Sequence, residues 1–147
     1  MLSVIRLSEV SGSDPDLRAA LMAAALPTDD VEDEGRVFFK VTSEDEQTIG
    51  FSGIERCLGD VLLRSVVILR AYRGRGIGHN VVEATLRRLK GVGDVYLATT
   101  TAAPFFSSMG FVEVPRDSVP AAVLATRQLS SICPSSATIM KLIKPPT

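Results

Sequence analysis

Arg73, Gly74, Arg75, Gly76, Ile77 and Gly78 stand in one stretch, RGRGIG, between a hydrophobic run and a helix-like segment. That arrangement suits an anion. Glycines let the backbone come close to a ligand and take conformations other residues avoid, while the unpaired N–H groups of a first helical turn point at the same spot. Arg73 and Arg75 add positive charge, and a diphosphate is the natural guest. The dinucleotide fingerprint, glycine-x-glycine-x-x-glycine, fails in both frames: its third glycine falls on His79 or on Val81. No Gly-Lys-Ser/Thr ending follows, so the triphosphate-cradling loop is excluded too. A turn without a ligand is the remaining alternative.

Glu55 and Arg64 are the second pair with chemistry in it. If Leu58-Gly59 or Gly59-Asp60 forms a two-residue turn, the two side chains share one face of a hairpin, diagonal or directly opposite. A carboxylate there can act, through water, as a general base. An ordinary cross-strand ion pair is the alternative. The Arg64 guanidinium suits a substrate carboxylate held bidentately. With Thr99, Thr100 and Thr101 ending a later strand-like run, it would favour an amino acid or a similar zwitterionic or acidic small molecule. Against this stand an Arg64 tied up by Glu55 and threonines chosen for strand propensity. His79 sits beside the glycine loop, at the anion, and takes no catalytic role. Cys57, Cys133 and His79 are scattered, with no zinc spacing, so no metal is expected and the cysteines read as reduced, buried thiols.

The elements that position these residues follow from periodicity. Residues 2–7 (LSVIRL) alternate as a short strand. A helix comes next, capped by Asp14, opened by Pro15, apolar along Leu17, Leu21 and Ala24, and stopped by Pro27. The acidic stretch 28–35 (TDDVEDEG) reads as a solvated loop or as a rim over a substrate site. Segments 36–42, 48–56 and 61–69 read as an antiparallel meander. The glycine loop opens a helix, NVVEATLRRLK, stopped by Gly91 and Gly93. The remainder alternates: strand VYLATTT with Tyr96 as core, short helix APFFSSMG, strand FVEV, a Pro-Ala-rich helical stretch and a closing strand, ATIMKLI. The expectation is one α/β (α+β mixed) domain over 1–147, a mixed sheet covered by helices.

Composition narrows the partners. The 147 residues carry 16 Lys and Arg against 17 Asp and Glu, a balance unlike that of a nucleic-acid binder. The 46% hydrophobic content excludes disorder, yet the apolar runs are far shorter than the ~20 residues that cross a bilayer. The opening MLSVIRLSEVSGSD shows no basic leader or cleavage site, so a cytoplasmic location is expected, with neither nucleic acid nor membrane as partner.

Arg73-x-x-Gly76-x-Gly78 after a hydrophobic strand resembles the pyrophosphate motif of the GNAT superfamily of acetyl-CoA-dependent N-acetyltransferases. Phe105-Phe106-Ser107-Ser108-Met109-Gly110-Phe111 is similar to the segment that follows the fifth strand there. The resemblance implies a mostly antiparallel sheet of about six to seven strands flanked by helices, whose fourth and fifth strands splay into a cleft. It implies acetyl-CoA as cosubstrate. Backbone groups of Val66, Val67 and Ile68 would meet the pantetheine arm, with the N–H of Val67 as the representative donor to the thioester carbonyl. The residues Arg73 to His79 would hold the pyrophosphate, and Phe105 would lie among the cofactor contacts. The tyrosine that commonly acts as acid is Phe106 here, leaving Ser107, Ser108 or water to protonate the thiol. The asparagine often found earlier in that segment is Thr99.

LLRSVV, TTTAAPFF and ATRQLSSICPSSATIMKL also resemble short members related to amino-acid N-acetyltransferases and to proteins encoded with arsenic-resistance genes. That subset would place Arg127, Ser131 and Ser136 beside the substrate, unless the serines simply form turns. The implied activity is direct transfer of acetyl, in a ternary complex, to the primary amine of an amino acid or analogue, an arsenic-containing one among them. A protein or peptide acetyltransferase and a catalytically weak acetyl-CoA-binding regulator are the alternatives. Homodimers are common in the superfamily, so the resemblance allows one.

Overall fold

A computed structural model describes residues 5–89, 93–127, 129–130 and 136–143. The first strand, β1 (Ile5–Val10), leads to helix α1 (Pro15–Ala23). The helix begins where the sequence dictates: Asp14 accepts the Leu17 N–H at 2.9 Å, and Leu17 and Leu21 are fully buried. The meander follows as β2 (Arg36–Ser43), β3 (Thr48–Cys57) and β4 (Asp60–Ile68). After a 3-10 turn at Arg70–Tyr72 come α2 (Ile77–Arg87), β5 (Val95–Thr99), α3 (Ala103–Ser107), β6 (Phe111–Glu113), α4 (Ala121–Leu124) and β7 (Thr138–Leu142).

The seven strands are hydrogen-bonded in the order β1-β2-β3-β4-β5-β7-β6. Among the described residues β4–β5 is the one parallel pairing, limited to Val61–Val95 and Leu62–Tyr96. The mixed α/β fold, the seven-stranded and mostly antiparallel sheet and the curtailed β4–β5 ladder agree with the sequence reading. What periodicity did not indicate is a kink: Ser65, in the middle of β4, has φ 58°, a left-handed conformation that costs a non-glycine residue about 1 kcal/mol or more. The predicted stop at Gly91, the thiol of Cys133 and the position of Ser131 lie outside the described residues.

The chain forms two compact units. The first comprises Met1–Glu55 with Arg64–Gly91. Leu17, Leu21, Val31, Phe38, Phe51 and Val67 form one of its cores, and burying each such side chain contributes about 1.5–3 kcal/mol. Phe51 lies in the α1 core, whereas its neighbour Ser52 bonds to Thr85 of α2 at 2.7 Å. Because successive strand residues face opposite ways, α1 and α2 cover opposite faces of this part of the sheet. On the α2 side Arg88 donates to the Leu7 carbonyl at 2.7 Å and lies over the Phe39 ring.

The second unit comprises Arg56–Leu63 with Val92–Thr147. Cys57, Leu62, Tyr96, Val119, Val123 and Ile139 pack together there. Cys57 is a buried thiol and Tyr96 is core, as expected; burial pushes the Tyr96 phenol above its usual range.

Candidate active site

The glycine loop and α2 are built by two backbone torsions. Gly74 and Gly76 have φ of 80° and 74°, values that L side chains rarely adopt, and a Cβ at either would meet nothing within 4 Å. Glycine is therefore required there by conformation and not by crowding, which leaves open space over the loop. Gly76 is the N-cap of α2 and offers no side-chain hydrogen bond to the N–H groups of the first turn. The helix accordingly begins three residues before the predicted Asn80. Ile77 is buried and pins the turn, while Arg73, Gly74, Arg75, Gly76 and His79 are exposed. Arg73 Nε donates to the Ile68 carbonyl at 2.8 Å, and Arg75 lies over the Tyr72 ring. The arrangement is two cations on a cradle of backbone donors, which fits a diphosphate.

Just before the loop, Leu69 donates its N–H to the Ile49 carbonyl of β3 at 2.9 Å. Strand alternation then turns the backbone polar groups of Leu69 and Val67 toward β3 and those of Val66 and Ile68 toward the other edge. This corrects the expectation for Val67. Its own N–H faces the neighbouring strand.

Glu55 and Arg64 do come together, but not alone. The turn is Leu58-Gly59, which sets Glu55 diagonal to Arg64, with Nη1 to Oε1 at 3.2 Å. Arg36 lies directly opposite Glu55 in the β2–β3 register and reaches its Oε2 at 3.1 Å. The surprise is Asp30. It is fully buried and fills the Arg64 fork with two bonds of 2.6 Å, and it also receives Arg36 Nη2 at 3.3 Å. Arg64 is completed by Ser65 Oγ at 3.2 Å and the face of Phe38. Arg36 donates to the Glu34 carbonyl and lies 3.9 Å from Asp33, yet its buried Nε has no acceptor.

Two corrections follow. The carboxylate in the Arg64 fork is the chain's own, and with a side chain only 1% exposed the residue is not an open receptor for a substrate carboxylate. The 28–35 stretch is not a solvated loop at its centre, because Asp30 and Val31 are both buried. A usable clue lay in the sequence. Arg36, Phe38 and Arg64 share one face with a single glutamate, and a second buried cation demands a second carboxylate. The nearest acidic segment was TDDVEDEG.

The cluster splits its two acids. Burial raises the Glu55 carboxyl above its ordinary value, and Arg36 and Arg64 only partly offset it. Burial opposes the charge on Asp30 as well, but the bonds and charges of Arg64 and Arg36 outweigh it and hold that carboxyl below its ordinary value.

In the second unit Thr99 ends β5, half-buried, and its Oγ1 accepts the Ala102 N–H at 3.0 Å, a turn-forming role; Thr100 and Thr101 are exposed. Phe106 is buried, edge-on to Phe105 at 5.0 Å and to Phe111 at 5.8 Å. Phe105 is half-buried and Ser107 exposed, whereas the Ser108 hydroxyl donates to the Phe105 carbonyl at 2.6 Å.

The sequence profile described as the acetyltransferase (GNAT) domain matches residues 33–113, more than half of the chain. The chain belongs to the GNAT acetyltransferase family. That match includes β2 to β4, the glycine loop, α2, β5 and the Phe105–Phe111 segment. Solved structures agree in fold. A GNAT-family acetyltransferase from Staphylococcus aureus superposes at TM-score 0.67 and 17% identity, covering 94% of this chain and 98% of that one. N-acetylglutamate synthase from Neisseria gonorrhoeae, solved with coenzyme A and N-acetyl-glutamate, gives TM-score 0.76 at 12% identity over 98% of this chain and 36% of that larger one. A variant of spermidine N-acetyltransferase from Vibrio cholerae gives 0.59 at 15%, with 76% and 81% covered. No curated protein matches the chain. Among the described residues this GNAT domain has no cluster of three His, Cys, Asp or Glu able to hold a metal, and no helix long and apolar enough to cross a membrane.

Proposed function

We propose that this GNAT domain transfers acetyl from acetyl-CoA directly to the primary amine of a small molecule in a ternary complex. The observation that carries the reading is the cradle of Gly74, Gly76 and the first turn of α2, flanked by Arg73 and Arg75. Bound there, acetyl-CoA supplies a thioester whose carbonyl carbon is the electrophile. The loop from Arg73 to His79 holds the diphosphate, and the edge N–H of Val66 or Ile68 donates to the thioester oxygen. Phe105 contributes an apolar contact to the cofactor. Glu55 accepts the amine proton through water, and its raised pKa suits that task better than an ordinary carboxylate would. Ser107, the hydroxyl that Phe106 leaves nearest in sequence, relays a proton from water to the departing thiolate, itself a tolerable leaving group because its thiol has a pKa near 8.5.

The acceptor we infer is an amino acid or a close analogue, including phosphorus- and arsenic-containing ones, acetylated in the cytoplasm. This rests on the resemblance of LLRSVV, TTTAAPFF and the C-terminal stretch, and on Thr99, Thr100 and Thr101 as polar groups toward a zwitterion. It no longer draws on Arg64. Calorimetric titration with acetyl-CoA, CoA and NAD tests the first half: micromolar binding of both CoA species and none of NAD is expected, and the reverse overturns it. Thiol release with a panel of amino acids, polyamines and peptides tests the second. Turnover with peptides alone would favour a protein acetyltransferase, and binding without turnover a regulatory module.

A further inference from the structure

We propose that Asp30 is a positioning residue for the acetyl transfer: seated in the Arg64 fork, it anchors the 28–35 loop on the sheet and leaves Glu55 as the proton acceptor of the cluster. The inference rests on the reading of Glu55 as base given above.

The geometry of the four charges carries it. Asp30 holds the better guanidinium by two bonds of 2.6 Å, while Glu55 receives one bond of 3.2 Å from Arg64 and one of 3.1 Å from Arg36. Arg36 divides its Nη2 among Asp30, Asp33 and Glu55 and leaves its buried Nε without an acceptor. The better fork is therefore spent on Asp30 and not on the carboxylate read as the base. Two arginines and two fully or nearly buried carboxylates sum to zero, so a single added proton is accommodated at the acid outside the Arg64 fork, and that is Glu55. Among the described residues Arg36 from β2, Arg64 from β4 and Asp30 from the loop face Glu55, and Asp33 of the same loop reaches Arg36. The opposed displacements of the two carboxyls agree with this division. A consequence for the reaction follows. Unseating the loop releases the Arg64 fork to Glu55, which then becomes a better-held and weaker base, so the transfer is competent only with Asp30 in place.

The test is a carbon-detected NMR titration of the side-chain carboxyls in the full chain, wild type and Asp30→Asn, with Glu55→Gln to assign the Glu55 resonance. It is read beside the pH profile of kcat/KM. In the wild type Glu55 titrates above the ordinary glutamate range and Asp30 below the ordinary aspartate range; a Glu55 at or below its range overturns the proposal without any variant. In Asp30→Asn, Glu55 falls below the ordinary range because it inherits the fork. Simple exposure of a damaged site would bring it only to that range, and this result too overturns the proposal. The acid limb of kcat/KM moves to lower pH with it, and the plateau falls by about three- to tenfold, since a less basic carboxylate is a poorer acceptor. Asp30→Glu, which keeps the charge, restores the limb toward its wild-type position. Should Glu55 move while the limb stays, or the limb persist in Glu55→Gln, what falls is the reading of Glu55 as base and not the hold of Asp30 over it.

Discussion

The 73–79 loop and the Asp30–Arg36–Glu55–Arg64 cluster both manage charge, and they do so in opposite ways. The loop is exposed, made by backbone, with open space over Gly74 and Gly76 and two exposed arginines that suit a ligand's negative charge. The cluster is buried, made by side chains from four separate segments, and its charges answer one another. A site of the first kind is specified by a few adjacent residue types and loses binding when it is damaged. One of the second kind is specified by convergence and loses the fold first. The contrast predicts that mutations divide cleanly between affinity and stability.

The largest effect is expected from removing one cation of the cluster. Arg64→Met keeps an apolar stem over Phe38 but leaves two buried carboxylates to share Arg36, an imbalance that costs about 3–5 kcal/mol. For a chain of this size that lowers Tm by roughly 10 °C. Thermal denaturation at pH 8 measures it, and a fall of under about 3 °C would mean that the cluster is not the buried knot described. Affinity for CoA should change little by comparison.

Gly76→Val is the converse. Valine at a φ of 74° costs about 1–2 kcal/mol in strain, and its branched side chain rises into the space over the loop. Acetyl-CoA affinity should fall on the order of 100-fold, about 2.7 kcal/mol, while Tm falls by only a few degrees. Calorimetry and a melting curve on the same sample decide it. Equal losses in both, or a loss of fold with affinity intact, would erase the distinction between the two regions.

The loop was legible because its chemistry is local. Arg73, Gly74, Arg75 and Gly76 are contiguous, the torsions they need are glycine's own, and the hydrophobic run before them is a strand by any periodicity. The same holds for α1, where Asp14, Pro15, Leu17 and Leu21 write cap, start and buried face into eight residues. Glu55 and Arg64 were legible as neighbours because a two-residue turn fixes hairpin register. Asp30 was not, because TDDVEDEG has no period and its acids differ in nothing local; which one descends into the core is decided by the exit direction of α1 and by the fork waiting on β4. The kink at Ser65 was hidden for a related reason. Serine in LLRSVV is an unremarkable strand residue, and the torsion becomes visible only in the folded strand.

The division within the cluster has its own pH signature. Glu55 is held above its ordinary 4.5, so the folded chain binds that proton more tightly than the unfolded one. Its ionisation therefore costs stability at neutral pH, a cost that vanishes as pH falls through the raised value. Asp30 is held below its ordinary 3.8 and has the opposite sign: its contribution is complete above that value and is lost only as pH falls through the lowered one. Glu55→Gln should then melt slightly higher than the wild type at pH 8, with the gap closing by about pH 4.5. Asp30→Asn should melt lower at pH 8, with its gap closing only in stronger acid. Melting curves of both variants across pH read the signs, and the same sign for both would show that the two acids are equivalent.

The smallest effect on function is expected at Phe106, where the family's tyrosine would stand. Phe106→Tyr adds a hydroxyl to a ring that is 8% exposed and held edge-on between Phe105 and Phe111. Burying that hydroxyl without a partner costs about 1–3 kcal/mol, so Tm should fall by several degrees at most. As a proton donor the phenol should bring little, because the ring's packing makes it part of a core and the thiol leaves readily without an acid. Steady-state turnover in the variant is expected within about threefold of the wild type, against the 100-fold or more that a positioned general acid can contribute. A tenfold rise would place the ring's outer edge at the departing sulfur. The acid function would then have been lost by one oxygen atom in an intact site, and Ser107 would have no part in it.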